Sequence, residues 1–326
     1  LMMGCGSFVT AAAPAIGPTF GGIMTQYFTW RYIFICVLPV IVLASFIGYF
    51  CMSEQIINKH EKFDLLSFIA LAFVSLIMGF SNLNQIVDDL VFVLGCFIIG
   101  IISLYYFTKR QLHIKNSLIR IEIFNHKGFT FHTLAIMFLQ MTTLGYGLLL
   151  PTFVQIVLKQ PATDAGVVLL PGAIVGAVFA PIGGLILDRL GAKKPIVLGL
   201  CCSFIATFCF LFFFKNLTYQ SCILFYFIYS LGIGLIVGNT MTSAMSHLPK
   251  NLQADGNATL QTLMQLSGGI GTSITATILA FVQQETNLYD GTNRGALFVL
   301  IFLMFNINIV ILSQYFAFKG GKKNEF

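Results

Sequence analysis

Charge is what this chain has least of. Asp, Glu, Lys and Arg make up 9% of its 326 residues, against roughly 25% in a soluble domain, and that shortage excludes an ordinary water-soluble fold. The 18 basic residues outnumber the 12 acidic ones. They are scattered through short segments between apolar runs, with no stripe or arm, so nucleic acid is not an expected partner. Cysteine occurs eight times but never as CxxC or in a Cys/His cluster, which argues against a disulfide framework and against a zinc site. The five histidines form no HExxH pair, and no GxxxxGK[ST] loop is present. Metal binding and direct drive by ATP are therefore not expected, and no cofactor is implied.

What fills the chain is apolar: 57% hydrophobic residues and a mean hydropathy of +0.88. About 20 such residues in a row cross the hydrocarbon of a bilayer. Ten runs qualify, at 5–24, 32–52, 65–81, 90–108, 131–157, 165–187, 196–214, 220–245, 260–283 and 296–316, and the chain reads as an all-α polytopic membrane protein. In the fifth run, Gly145, Gly147 and Pro151 predict a kink or a partly unwound segment. Fourteen lysines and arginines fall on one side of the spans, while only Arg31, Lys159, Lys215 and Arg294 fall on the other. The positive-inside rule then puts both ends of this chain at the cytoplasmic face of the cell membrane. Trp30, Tyr27 and Tyr32 fit an outer aromatic belt.

Within the first run, Pro14 and Pro18 each remove a backbone donor, and Ala13, Gly17 and Gly21 leave one face nearly bare, with Gly22 beside it. Such a helix is bent and packs closely. Its plain reading is a packing kink with no part in transport. A second feature, Gly184-Leu-Ile-Leu-Asp-Arg-Leu-Gly-Ala-Lys-Lys194, places Gly184, Asp188, Arg189, Gly191, Lys193 and Lys194 in a turn between two spans. Asp188 can accept bonds from the next helix's N-terminus and Arg189 can bridge to a partner helix. The plain reading here is a charged turn held inside by the positive-inside rule.

These two segments carry a resemblance. Ala13 to Gly22 is similar to the antiporter motif in the fifth helix of drug:proton antiporters of the major facilitator superfamily, and Gly184 to Lys194 resembles that superfamily's cytoplasmic loop signature. Trp30-Arg31 to Pro39 and Gly256-Asn-Ala258 also resemble the fourteen-span multidrug exporters. The resemblance implies the major facilitator fold, with about ten of fourteen spans present and four preceding Leu1. Residues 1–52 would be the last two spans of an N-terminal bundle, 53–128 two extra spans with a cytoplasmic linker, and 129–326 a complete six-helix bundle with a short tail. The linker Lys109 to Lys127 could equally be an amphipathic helix on the inner leaflet or a simple charged connection.

The activity implied is secondary transport: proton-coupled efflux of drugs or other small amphipathic molecules, with protons and a small-molecule substrate as partners and the lipid bilayer as surroundings. Alternatives are an inactive truncated fragment, or a membrane-embedded lipid-modifying enzyme. The enzyme would need clustered His, Asp or Glu at the membrane surface, and the sequence shows no such cluster. All 12 acidic residues fall in loops or at span ends. A coupling carboxylate, whose pKa burial would raise toward neutrality, is therefore expected on upstream spans. Candidate cavity-lining residues are Gln140, Thr143 and Tyr146 in the fifth run, Asn239 and Thr242 in the eighth, and Gln261 and Gln265 in the ninth. Polar groups in a span face the bundle interior more readily than lipid. The same residues could also serve as interhelical glue at about 0.6–2 kcal/mol each.

Overall fold

The computed structural model describes residues 17, 19–29, 31–51, 102, 105, 109 and 121–321. Among these residues all regular structure is helical, and seven helices are long and apolar enough to cross a membrane. The expected spans 65–81 and 90–108 lie outside the described residues, save for isolated positions in the latter.

A helical stretch at 19–27 precedes α1 (Arg31–Cys51), which contains Pro39. After a short 3-10 turn, Ile121–Asn125, come α2 (Lys127–Ile156), a one-and-a-half-turn α3 (Ala162–Val167), α4 (Leu170–Leu190), α5 (Lys193–Phe212), α6 (Tyr219–Ser246), α7 (Gln253–Glu285) and α8 (Leu288–Gly321). Each of the six expected spans from 131–157 to 296–316 is present as a helix. Helix is the form imposed on these runs, because in hydrocarbon every backbone donor and acceptor must be satisfied within the segment. Local chemistry sets the ends. Thr218 caps α6 by accepting from the Ser221 amide at 3.3 Å while Ser221 Oγ accepts from the Thr218 amide at 2.8 Å. Gly191, at φ +81°, turns the chain out of α4, a conformation that costs other residues about 1 kcal/mol or more.

The unwound segment is not where sequence allowed it. α2 runs unbroken through Gly145, Gly147 and Pro151 to Ile156, so the expected unwinding is absent. Gly145 serves close packing instead: a Cβ there would lie 2.7 Å from Leu303 of α8 and 3.1 Å from Thr275 of α7. The interruption falls in the next span, at Val168–Leu169, between α3 and α4. Pro171, in the first turn of α4, has no N–H to continue the α3 ladder.

The packing of the six-helix bundle is reciprocal. Taken as two consecutive triplets, α2, α3/α4, α5 and α6, α7, α8, the first helix of each packs mainly on the other triplet's last two: α2 on α7 and α8, α6 on α4 and α5. This is the pattern of a repeat related by a pseudo-two-fold axis. Small residues permit the contacts. At the α5–α6 crossing, Gly199 and Gly232 approach so closely that a Cβ on either would come within about 2.6 Å of the other's carbonyl oxygen. The largest apolar cluster holds Tyr146, Leu150, Phe153, Phe210, Tyr229 and Leu303 between the helices. α1 contrasts with all of this: every residue from Phe34 to Ile47 is exposed.

Candidate functional site

The polar positions singled out on the spans fall into three settings. On α2, Gln140 and Thr143 are half-buried. Gln140 lies against α7, where a Cβ at Gly268 would approach its Cγ to 3.3 Å. Thr143 Oγ donates back to the Leu139 carbonyl at 2.9 Å and stands 2.9 Å from the Tyr229 hydroxyl of α6. Tyr146 is fully buried. Its hydroxyl donates to Thr207 of α5 at 3.0 Å, and its ring packs 4.8 Å from that of Tyr229, so it forms part of the bundle's aromatic interior. On α6, Asn239 is buried and donates to the Leu235 carbonyl at 2.7 Å, packed beside Gly183 of α4. Thr242 donates to the Gly238 carbonyl at 2.9 Å. On α7, Gln261 is half-buried and Gln265 exposed, one turn apart on the same side.

The structure thus joins Thr143 to Tyr229, and Gln140 to the face of α7, and leaves Asn239 at the α4–α6 contact. The open polar side belongs to α7. Thr262, Gln265, Gly269 and Thr277 are exposed there, with Asn257, Gln261 and Thr272 half-buried along the same helix. Uncovered amides at membrane depth are costly against lipid and cheap against a water-filled cavity or another protein surface.

Of the proline-glycine helix, Pro14 and Pro18 lie outside the described residues. Gly17 and Gly21 face open space, whereas a Cβ on Gly22 would meet the Ala162 carbonyl at 2.6 Å and Gly166 Cα at 3.2 Å. Thr19 Oγ donates to the Gly166 carbonyl at 3.1 Å, and Gln26 Oε1 accepts from the Thr163 amide at 2.9 Å and from the Thr163 hydroxyl. This N-terminal helix therefore docks on α3. In the loop feature, Asp188, Arg189, Gly191, Lys193 and Lys194 are all exposed around the Gly191 turn, and Gly184, one turn before Asp188, has no neighbour within 4 Å of a built Cβ.

Sequence reasoning missed a buried polar network in the same bundle. His132 of α2, with no exposed surface, places Nδ1 2.9 Å from Gln314 Oε1 of α8 and Nε2 3.0 Å from Ser243 Oγ of α6. Gln314 Nε2 donates to Thr240 Oγ at 3.2 Å. His247, just beyond α6, stacks on His132 at 5.5 Å, in space left by the missing side chain of Gly128. His132 and Gln314 are 182 positions apart, and no local pattern announces such a pair. A hollow of about 620 Å³ lies between α5 and α8 and shares Gln314 with this network; of the described residues singled out from sequence, only Lys193 lines it. It opens on the apolar outer surface and is not adjacent to the polar face of α7.

The model of the Major Facilitator Superfamily matches residues 1–272. The chain belongs to that superfamily. Among curated proteins, it is 32% identical over 291 residues to the lincomycin resistance protein LmrB of Bacillus subtilis, a match covering 87% of this chain and 60% of that protein. It is 30% identical over 295 residues to the protein of the same name from Listeria monocytogenes, covering 90% and 62% respectively. A putative multidrug resistance protein, MdtD, of Klebsiella pneumoniae is 24% identical over 324 residues, covering 95% and 67%. The chain thus spans about three fifths of the length of the first two of these relatives. Among solved structures, a bacterial homologue of the human lysosomal transporter Spinster, inward-facing and occupied, aligns with a TM-score of 0.48 at 14% identity, covering 71% of this chain and 57% of that one. Membership of the superfamily, with all regular structure among the described residues helical and seven helices of membrane-crossing length, makes the chain a multi-pass membrane protein of the major facilitator fold.

Proposed function

We propose that this protein acts in proton-coupled efflux of drugs or other small amphipathic molecules, and that α7, with Gln140 and Thr143 of α2, forms one wall of the pathway. The observation that carries this reading is the exposed polar side of α7 in a bundle whose other uncovered faces, among the described residues, are mainly apolar. The names of the relatives, lincomycin resistance and multidrug resistance, supply the substrate class. In this reading residues 1–52 are the last spans of a first bundle, 53–128 hold two additional spans and a linker, and 129–326 are the second bundle. Both chain ends face the cytoplasm, as the positive-inside count directs.

Transport by such a molecule is the alternate exposure of one cavity to either side as two bundles rock against each other. The contact of Thr19, Gly22 and Gln26 with α3 is one point where the first bundle meets the second. On the orientation above it lies at the outer end of the pathway and must part when the cavity opens outward. Every described helix keeps its carboxylates in its end turns, so the acid that exchanges a proton for substrate belongs to other spans.

The test is export of lincomycin from cells expressing the full chain, with and without a protonophore. Expression lowers drug accumulation, the protonophore abolishes the effect, and the double substitution Gln261→Ala, Gln265→Ala weakens export about tenfold, the scale of two lost hydrogen bonds. Accumulation of lincomycin and of a panel of cationic amphiphiles that is unchanged by expression overturns the efflux reading. Export that survives the protonophore overturns proton coupling alone.

A further inference from the structure

The hollow between α5 and α8 has an asymmetry that a plain lipid-facing seam lacks. One end is flanked by Lys193, the first residue of α5, and Lys319, in the last turn of α8. Beyond them the walls are mainly apolar, including Val197, Cys201, Ile205 and Phe318, with Gln314 and Tyr315 also lining the groove, and among the described residues no acidic side chain lines it. The two helices run in opposite directions across the membrane, so both lysines sit at the same surface, the cytoplasmic one by the positive-inside count. Lys322 and Lys323 follow Lys319 in the chain. From Lys193 to Ile205 the groove follows α5 for about 18 Å at the helical rise, close to the length of one saturated acyl chain. Its floor is firm, because Gln314 on the α8 wall is buried and held by both His132 and Thr240.

We propose that this groove is a binding site for one anionic phospholipid, its phosphate headgroup between Lys193 and Lys319 and one acyl chain lying along Val197, Cys201 and Ile205. Charge complementarity selects the occupant. Two lysines border the same end of the groove and no acid among the described residues lines it, so that end favours an anion, and at the inner leaflet the abundant membrane-bound anion is a phospholipid headgroup. A zwitterionic lipid fills the same apolar trough but brings its own cation to the lysines.

The experiment uses the full chain in nanodiscs and a phosphatidylglycerol probe with a photoactivatable group on one acyl chain, compared with the matching phosphatidylcholine probe. Labelled peptides are mapped by mass spectrometry. The phosphatidylglycerol probe is expected to label residues 197–205 and 311–318 preferentially. Lys193→Gln and Lys319→Gln each lower that labelling about fivefold, and the pair brings it to the phosphatidylcholine level. Cys201→Trp, which fills the trough, removes labelling by both probes. In the unaltered protein, unlabelled phosphatidylglycerol competes and phosphatidylcholine does not, a result independent of whether any variant folds. Equal labelling by the two probes overturns the proposal, as does a preference that survives the double substitution. Absence of label from the groove also overturns it, since another part of the protein then covers the trough.

Discussion

The outer seam of the bundle and the open side of α7 are equally uncovered, yet they are made of opposite materials. Along α5 and α8 the exposed positions are mainly apolar, among them Val197, Leu198, Ile205, Phe208, Phe298, Ile301, Phe305 and Leu312, and the one exposed amide in the middle of α8, Asn308, donates to the Met304 carbonyl one turn back at 2.8 Å. Along α7 they include Thr262, Gln265, Gly269 and Thr277. Exposure alone therefore says nothing about what a helix faces. In hydrocarbon an apolar side chain needs no partner, so an apolar exposed face is at rest against lipid. A row of amides and hydroxyls is not, and its presence marks the side where water, substrate or the other bundle belongs. Part of that polarity is neutralised locally: Thr262 and Thr277 donate to carbonyls one turn back in α7, Ala258 at 2.9 Å and Ser273 at 2.8 Å. The glutamines have no such short route and give the face its character.

The sharpest way to break this contrast is to place the same charge on both sides. Phe305→Lys, on the exposed face of α8 at 61% accessibility, is expected to cost about 3 kcal/mol, the price of a lysine at bilayer depth. Gln265→Lys on α7 is expected to cost less than about 0.5 kcal/mol, as at a hydrated surface. Thermal unfolding of the full chain in lipid nanodiscs reads both, and equal losses would erase the distinction between the two faces.

A smaller effect concerns the network that holds the two faces in place. His132→Leu leaves the Gln314 amide and the Ser243 hydroxyl without their partner in a dry interior and is expected to destabilise by about 1–3 kcal/mol. Adding Gln314→Leu should restore part of that loss, because the pair is then apolar on both sides. A double variant that is simply the sum of two losses would show that the network contributes nothing beyond separate packing.

The smallest effect is set by pH. Burial, with the neighbouring His126, holds the His247 imidazole below its ordinary value of 6.5. The folded state therefore prefers the neutral ring. That contribution is fully present above about pH 6.5, fades as pH falls from there through the lowered folded-state value, and is then constant. His247→Gln is expected to flatten this segment of the stability profile. A profile unchanged by the substitution would remove His247 from the account and leave the stacked pair with no role in holding α6 to α2.

Much of the architecture could be read from the chain alone, and so could the places where such reading stopped. Six of the expected spans, from 131–157 onward, are helices, four of them ending within about five residues of the anticipated bounds, while α7 and α8 begin seven and eight residues earlier than expected. The bilayer requires about 20 apolar residues per crossing and forbids an unpaired backbone, so length and composition suffice to place them. The bend is a different matter. Gly145, Gly147 and Pro151 allowed an unwound segment that α2 does not have, while Pro171 stands at an interruption that was not anticipated. Proline marks only where a break is permitted, and the neighbours that can re-satisfy a freed carbonyl decide whether it occurs.

The candidate polar residues divide in the same way. That Gln140, Thr143, Tyr146, Asn239, Thr242, Gln261 and Gln265 would seek partners followed from the cost of a bare amide or hydroxyl in hydrocarbon. Which partner each finds did not follow. A helix apolar all round has no face that its own periodicity can identify as inner, so Tyr146 turning to Thr207, Gln265 remaining open and His132 meeting Gln314 across 182 positions were settled only when the two triplets packed. Hydrophobic length, proline positions and the lopsided distribution of lysine and arginine are properties of the chain, legible one residue at a time. The reciprocal pairing of α2 and α6, the docking of Gly22 on α3 and the lysine-ended groove belong to the assembled bundle, because each joins groups that only close packing of distant segments brings together.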